Sequence, residues 1–438
     1  MMGLRAHRCL AVLRNAAVTG VALAALGAAP ALAHHRGVRF GDDHRGRLGQ
    51  GAVYTETNDP AGNRVLVFGR NRDGTITQEP SVSTGGLGRA TQPPFGFPIT
   101  DSQGALDLTR DGRLLFAVNA GDSTISAFSV TPHGLRLVDR VASGGTEPIS
   151  LTSSGNLLYV LNEQTGSIAG FRFDRWGDLR AIPGSIRSLS TPGPGAISAQ
   201  IGFSPDGRLL TVSERCYLGG CAGQPKGVLD TFSVRWDGTA GPAQQHASDD
   251  FGPFGFAYVN SRQLLVSNTG NIGNPPNPGD PTLFTGTTSS YVVDRFGNVT
   301  PNGGPVASGG RGACWIVITG DGRYAFVTNS LSTFPPGDGR GGLARYSISR
   351  NGSLTLLGNT DVTNDPVTPG VTFPTDEVLS SDSRYLYVVS PTLGMAPPPA
   401  NPSTSHIDVY RVGPGGSLTH LQATPANLPD GVSGMAAS

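Results

Sequence analysis

The chain has 438 residues, with 63 glycines, 34 prolines, and 32 basic side chains balancing 32 acidic ones. That balance removes any electrostatic reason to expect nucleic acid or an acidic membrane as partner, and the glycine and proline content favours many short strands joined by turns. No segment beyond the N-terminal region is apolar and long enough to span a bilayer.

At the start of the chain, Arg5, Arg8 and Arg14 are followed by a small-residue apolar stretch, and Ala31-Leu32-Ala33 has the form of a cleavage site. Residues 1–33 are expected to be a removed secretory signal peptide, which would place the mature protein outside the cell and take Cys9 away. Residues 34–50, with His34, His35 and His44, are polar and unpatterned and are expected to form a disordered tail. Three cysteines remain. Cys216 and Cys221 are spaced to close a small disulfide loop, while Cys314, inside the apolar run Ala313–Ile318, is expected to be a core residue. No Cys or His flanks the pair at zinc-ligand spacing.

From residue 51 to 438 a single pattern recurs about seven times. Its clearest copy, Arg110–Val138, has an Asp-Gly turn, an apolar strand ending in Asn119, a short loop, a second alternating strand and another glycine turn. Further copies carry Asn162-Glu163, Glu214-Arg215, Asn268, Asn329 and Ser390 at the same strand end. One more short strand precedes each turn, which gives four strands per unit, the blade of a β-propeller. The first copy, from Ala52, lacks that leading strand, and Gly431–Ser438 resembles one with no unit after it. The expected fold is therefore all-β, a single seven-bladed propeller of four-stranded antiparallel blades, closed by pairing the chain's end with its beginning.

The later copies lengthen between their second and third strands, at 215–227, 270–286, 330–342 and 391–405. Those loops share a face with the blade-to-blade links, and the Asp-Gly turns lie on the other face, so the loop face is the expected working face. Inner strands begin there, which places Asp107, Glu147, Gln200, Trp315, Asp376 and Glu377 in their first halves. Adjacent carboxylates alternate sides of a strand, so one of Asp376 and Glu377 should point towards the channel, where burial would raise its pKa and suit it to act as a general base. The competing reading is a structural bond to the neighbouring blade. The strand-end asparagines are expected to cap turns through their side chains. Glu163, Glu214 and Arg215, charged at the same level, and Arg311, before an inner strand, could meet a polar ligand, the arginines as carboxylate clamps. There is no G-x-S-x-G, H-E-x-x-H, phosphate-binding loop or metal-spaced histidine cluster, so neither a metal nor another cofactor is expected.

The segments Ser204–Leu210, Leu158–Glu163 and Asn351–Leu357 resemble the blades of the seven-bladed lactonase propellers, the family of propeller-type 6-phosphogluconolactonases and carboxy-cis,cis-muconate cyclases. The likeness spans essentially residues 52–438, and blade motifs report fold more strongly than chemistry. It implies metal-free opening or closing of a sugar or muconate lactone at the channel mouth, with Glu163 and Glu214 similar to the family's strand-end glutamates and Arg311 standing for a basic residue. No inner strand begins with His, a departure from the family pattern.

Two functions follow. In the first, a secreted monomer acts as hydrolase or isomerase on an unphosphorylated small-molecule lactone, with Asp376, Glu377 or Glu147 catalytic, and Arg311, Arg215, Glu163, Glu214, Gln200 and Trp315 around the substrate. In the second, a non-catalytic propeller holds an extracellular protein, glycan or wall component through its long loops. A calcium-assisted lactonase of six-bladed type ranks last. The two leading readings separate on whether the carboxylates and an arginine converge.

Overall fold

The computed structural model describes residues 50–89, 99–191, 196–217, 221, 223–271, 284–330, 341–362, 373–391, 405–424, 428–429 and 431–438. The signal-peptide and histidine-tail readings lie outside these residues, as does most of each of the long loops 270–286, 330–342 and 391–405. Seven antiparallel sheets form the ring, and each has the four strands of a propeller blade, with the outermost strand of blades three and five split in two. Blade one takes its inner strand, Ser433–Ala437, from the end of the chain and its other three from Ala52–Glu56, Arg64–Arg70 and Ile76–Ser83. The expected ring closure is present.

Each blade is apolar on both faces because it is sandwiched between two others. In the second strand of blade two, Leu114, Phe116 and Val118 pack with Leu158 and Val160 of blade three, while the alternate residues Leu115 and Ala117 pack with Tyr54, Val65 and Val67 of blade one. Period-two alternation thus divides one strand between two cores. The same device closes the ring, where Tyr385, Tyr387 and Val389 of blade seven meet Val53, Leu66, Phe68 and Met435 of blade one. Burying each such aromatic ring contributes roughly 1.5–3 kcal/mol, spread around the whole circle.

On one face the first and second strands join through tight turns. Gly112, Gly207 and Gly322 have φ between 68° and 70°, a region open to glycine without steric cost, and Ser383 takes the same place in blade seven at 53°. Long connections gather on the other face. Strand limits at Glu214 and Val228, Asn268 and Thr285, Asn329 and Gly342, and Ser390 and His406 bracket the four insertions. Two long blade-to-blade links, from Ser83 to Leu106 and from Asp361 to Glu377, share that face and were not singled out from the sequence.

The first of these links crosses the channel. Gln103 donates its backbone N–H to Ala199 of blade four, and its side-chain amide exchanges two hydrogen bonds with the backbone of Ile316 in blade six. Ser102 donates to the Ile149 carbonyl of blade three and accepts from the Trp315 indole, while Thr100 bonds Ser433 of blade one. Residues 99–104 therefore form a crossbar under the loop face. A ligand entering from that face meets this crossbar before the channel.

Candidate functional site

Several loop-face residues proposed from the sequence have structural partners. Gln200 spends its amide on the Phe256 backbone of the next blade. Trp315 is buried against Phe254, and its N–H is satisfied by the crossbar. Both are therefore inter-blade clamps and not substrate contacts. Glu214 is buried beside Asp230 and accepts from Thr191, and burial together with the Asp230 charge raises its pKa. Two carboxyls this close in a dry place are best satisfied by sharing one proton. Arg311 ends the outer strand of blade five, paired there with Thr285. Asp107 lies on the channel side of blade two and bonds Ser153, with burial pushing its pKa up to about 6.

Asp376 and Glu377 do not assemble the catalytic group expected of them. Both are buried, and each has its pKa raised well above the ordinary value, first by desolvation. Asp376 accepts from the Glu377 backbone N–H, and neither oxygen of Glu377 has a hydrogen-bond partner. Among the described residues no arginine is paired with them. A third carboxyl, Glu56, interacts with the charge of Asp376, accepts from Asn63 and is raised in the same direction. The alternation rule gave the direction of these side chains but could not supply a cation.

A different group does converge. Arg89, in the link from blade one to blade two, donates its Nε to Glu147 at 2.7 Å and an Nη to Glu163 at 2.5 Å. Its remaining Nη reaches the Thr100 carbonyl of the crossbar. Alongside, Arg215 holds Asp101 at 2.5 Å and the carbonyls of Ile197 and Asp101, with its guanidinium over the Phe254 ring. Both arginines are buried, while the Glu147 and Glu163 side chains keep 23% and 12% of their surface. The carboxylates thus form the accessible side of the group and the guanidinium groups its backing. Burial raises the pKa of Glu163 against the opposing pull of Arg89 and Arg215.

The backbone here is strained. Asn58, Asp101, Ser123, Glu147 and Ile197 all have φ between 48° and 65°, although none is glycine. Each touches the group: Asn58 exchanges hydrogen bonds with the Arg89 backbone, Ser123 accepts from the Glu147 N–H, and Ile197 and Asp101 bind Arg215. Such conformations cost of order 1 kcal/mol or more each and collect where side chains must be aimed.

Arg89 is not among the residues expected from the sequence, because it lies in a link and not at a strand end, and its partners are 58 and 74 residues away. A usable signal was there: a lone arginine in a long link on the working face. The disulfide Cys216–Cys221 is formed, and Cys314 is buried and free, both as expected. Asn119 and Asn268 tie their own strand to the third strand, through Thr124 and Ser126 and through Thr287 and Ser289, a broader role than capping. Among the described residues no cluster of His, Cys, Asp or Glu is placed to hold a metal ion. A cleft of about 730 Å³ on the turn face, between blades two, three and four, includes Arg113 and Asp111, which pair with each other in solvent. The converging ionised groups are on the opposite face.

The family model described as "Lactonase, 7-bladed beta-propeller" matches residues 61–190, a stretch that contains Arg89, Glu147 and Glu163. With the seven four-stranded blades, this match supports a propeller of the lactonase type. The fold is a seven-bladed β-propeller. The 6-phosphogluconolactonase of Bacillus subtilis is 29% identical over 98 residues, a match that spans 21% of this chain and 28% of that protein. A periplasmic gluconolactonase of Pseudomonas aeruginosa shares the fold with a TM-score of 0.57 at 17% identity, covering 87% of this chain and 98% of that one. A Bacteroides uniformis protein provisionally assigned as a 6-phosphogluconolactonase has a TM-score of 0.62 at 18% identity, covering 87% and 99%. No helix among the described residues is long and apolar enough to cross a membrane.

Proposed function

We propose that this propeller hydrolyses an uncharged sugar lactone on its loop face, with Glu163 as general base, Glu147 as the second carboxylate and Arg89 locking both. The observation that carries the reading is the Glu147–Arg89–Glu163 group set in strained backbone, within the stretch that matches the lactonase propeller family. A carboxylate whose pKa is raised, yet which keeps an open edge, is suited to draw a proton from water. Water then attacks the lactone carbonyl carbon, the ring C–O bond breaks, and the ring oxygen takes a proton to leave an open hydroxy acid. Glu147, the more open of the two, is placed to bind substrate hydroxyls.

Charge favours an uncharged substrate. Arg89 and Arg215 are already engaged by Glu147, Glu163 and Asp101, and residues 90–98, 272–283, 331–340, 363–372 and 392–404 contain no lysine and, apart from Arg340, no arginine. A phosphorylated sugar or a muconate carboxylate would need an unengaged cation beside Glu147 and Glu163, where both arginines are already paired. An extracellular location fits such a substrate, and N-terminal mass spectrometry of the exported protein tests removal of residues 1–33.

The function is tested by following acid release from glucono- and galactonolactones and from 6-phosphogluconolactone above the spontaneous rate. Turnover of the neutral lactones is expected, with kcat/KM rising with pH through a value above the ordinary 4.5 of a glutamate. Glu163→Gln should lower kcat by about 10²–10⁴-fold. Absence of turnover, preference for the phosphorylated lactone, or full activity in Glu163→Gln would each defeat the proposal.

A further inference from the structure

The outer turns on the turn face carry a feature that lactone chemistry does not use. In blades three, four and five the turn between third and fourth strands reads Asp174-Arg175-Trp176-Gly177, Arg235-Trp236-Asp237-Gly238 and Asp294-Arg295-Phe296-Gly297. The aromatic rings stand in solvent, with Trp176 61%, Trp236 97% and Phe296 60% exposed. The corresponding turns 71–74, 131–134, 349–352 and 413–416 of the other four blades contain no Trp, Tyr or Phe. Val292, beside the blade-five turn, is a further exposed apolar side chain there.

We propose that this arc of aromatic turns binds a neutral polysaccharide. Exposed tryptophans are costly to leave in water and are characteristic of recognition surfaces. Three rings on equivalent turns of successive blades suit a ligand that is itself a long repeat, able to touch one ring after another and gain by multivalency. The local chemistry suits sugars: the C–H face of a pyranose packs on an aromatic plane, and its hydroxyls need donors and acceptors beside that plane. Arg175 lies 4.7 Å from the Trp176 ring centre and Arg295 lies 4.6 Å from that of Phe296. Each turn also contains one aspartate, so no turn carries net charge. Balanced turns lack the positive excess that draws a protein to an anionic membrane, and this favours the glycan over a lipid surface.

The turns are held by hydrogen bonds that leave the rings uninvolved. Asp174 and Asp294 accept from the backbone N–H of Trp176 and Phe296, and Asp237 accepts from Thr239. Replacing the rings should therefore spare the fold.

The test is native affinity electrophoresis of the full chain in gels containing soluble mixed-linkage β-glucan, xylan or starch, pull-down on cellulose and chitin, and sedimentation with phosphatidylcholine vesicles with or without phosphatidylglycerol. Binding to at least one neutral polysaccharide is expected. It should weaken by about tenfold or more in the triple variant Trp176→Ala, Trp236→Ala, Phe296→Ala, and by less in each single variant, with circular dichroism and lactone turnover unchanged. Binding to none of the polysaccharides, equal binding by the triple variant, or binding to vesicles alone overturns the proposal. Because the turnover assay reads the other face, its result leaves this one untouched.

Discussion

The loop face contains two groups of acidic side chains that the protein treats in opposite ways. Glu147 and Glu163 share one buried arginine, keep part of their surface open and sit in strained backbone. Asp376, Glu377 and Glu56 are as close to strand ends, yet they are buried with raised pKa values, and among the described residues none is paired with a cation and the Glu377 carboxyl has no hydrogen-bond partner. The contrast teaches that a strand-end carboxylate becomes a site through what the connecting links bring to it. The link from blade one to blade two brings Arg89 to the first group, and nothing comparable reaches the second.

The severest way to break this contrast is Arg89→Met, which turns the first group into a likeness of the second. Two carboxylates would then face each other with their cation removed, and the loss of a buried partner costs about 3–5 kcal/mol at pH 7. The sign with pH is fixed. Without the cation the burial that raises the pKa of Glu163 is less opposed, so stability is retained below the ordinary unfolded pKa of Glu163 and lost as pH rises through its raised folded value. Denaturant unfolding at several pH values should therefore show a deficit that shrinks towards pH 4. A deficit independent of pH would mean that Arg89 acts through packing alone.

A smaller effect is expected at the crossbar. A Cβ on Gly255 would lie 2.2 Å from Gln103 Oε1 and 2.7 Å from the Cys314 carbonyl. Gly255→Ala must displace the crossbar or strain blade five, at a cost of about 1–3 kcal/mol. Because Thr100 and Asp101 of the crossbar contact Arg89 and Arg215, lactone turnover should fall along with stability, while the second acidic group is left as it was. Unchanged turnover in a destabilised Gly255→Ala would separate the crossbar from the site.

These differences explain what could be read from the sequence. Ring, blade count and closure were legible because each rests on local period and register: Leu114–Asn119 alternates, Gly112 turns, and Gly431–Ser438 repeats a leading strand. The Cys216–Cys221 pair was legible for the same reason, being close in sequence. Arg89 with Glu147 and Glu163, and Gln103 with Ile316, were not, since their partners are 58, 74 and 213 residues away. Period assigns a residue to a face, but only the path of a link decides which side chains meet there. Asp376 and Glu377 were placed correctly on the loop face and assigned the wrong surroundings.

The mildest prediction bears on the same pair. Glu377 has a pKa raised first by desolvation and then by Asp376, so the folded protein holds a proton that the unfolded chain releases. This stability is fully present below the unfolded pKa and falls as pH rises through the folded value. Glu377→Gln keeps the shape of the protonated form and removes the titration. Its melting temperature should therefore exceed that of the unsubstituted protein at pH 7 by roughly 2 °C, with the gain disappearing near pH 4. Lactone turnover should remain within about twofold, since the base is assigned to Glu163. A large loss of turnover in Glu377→Gln, with full activity in Glu163→Gln, would exchange the roles of the two acidic groups and move the site from blade three to blade seven.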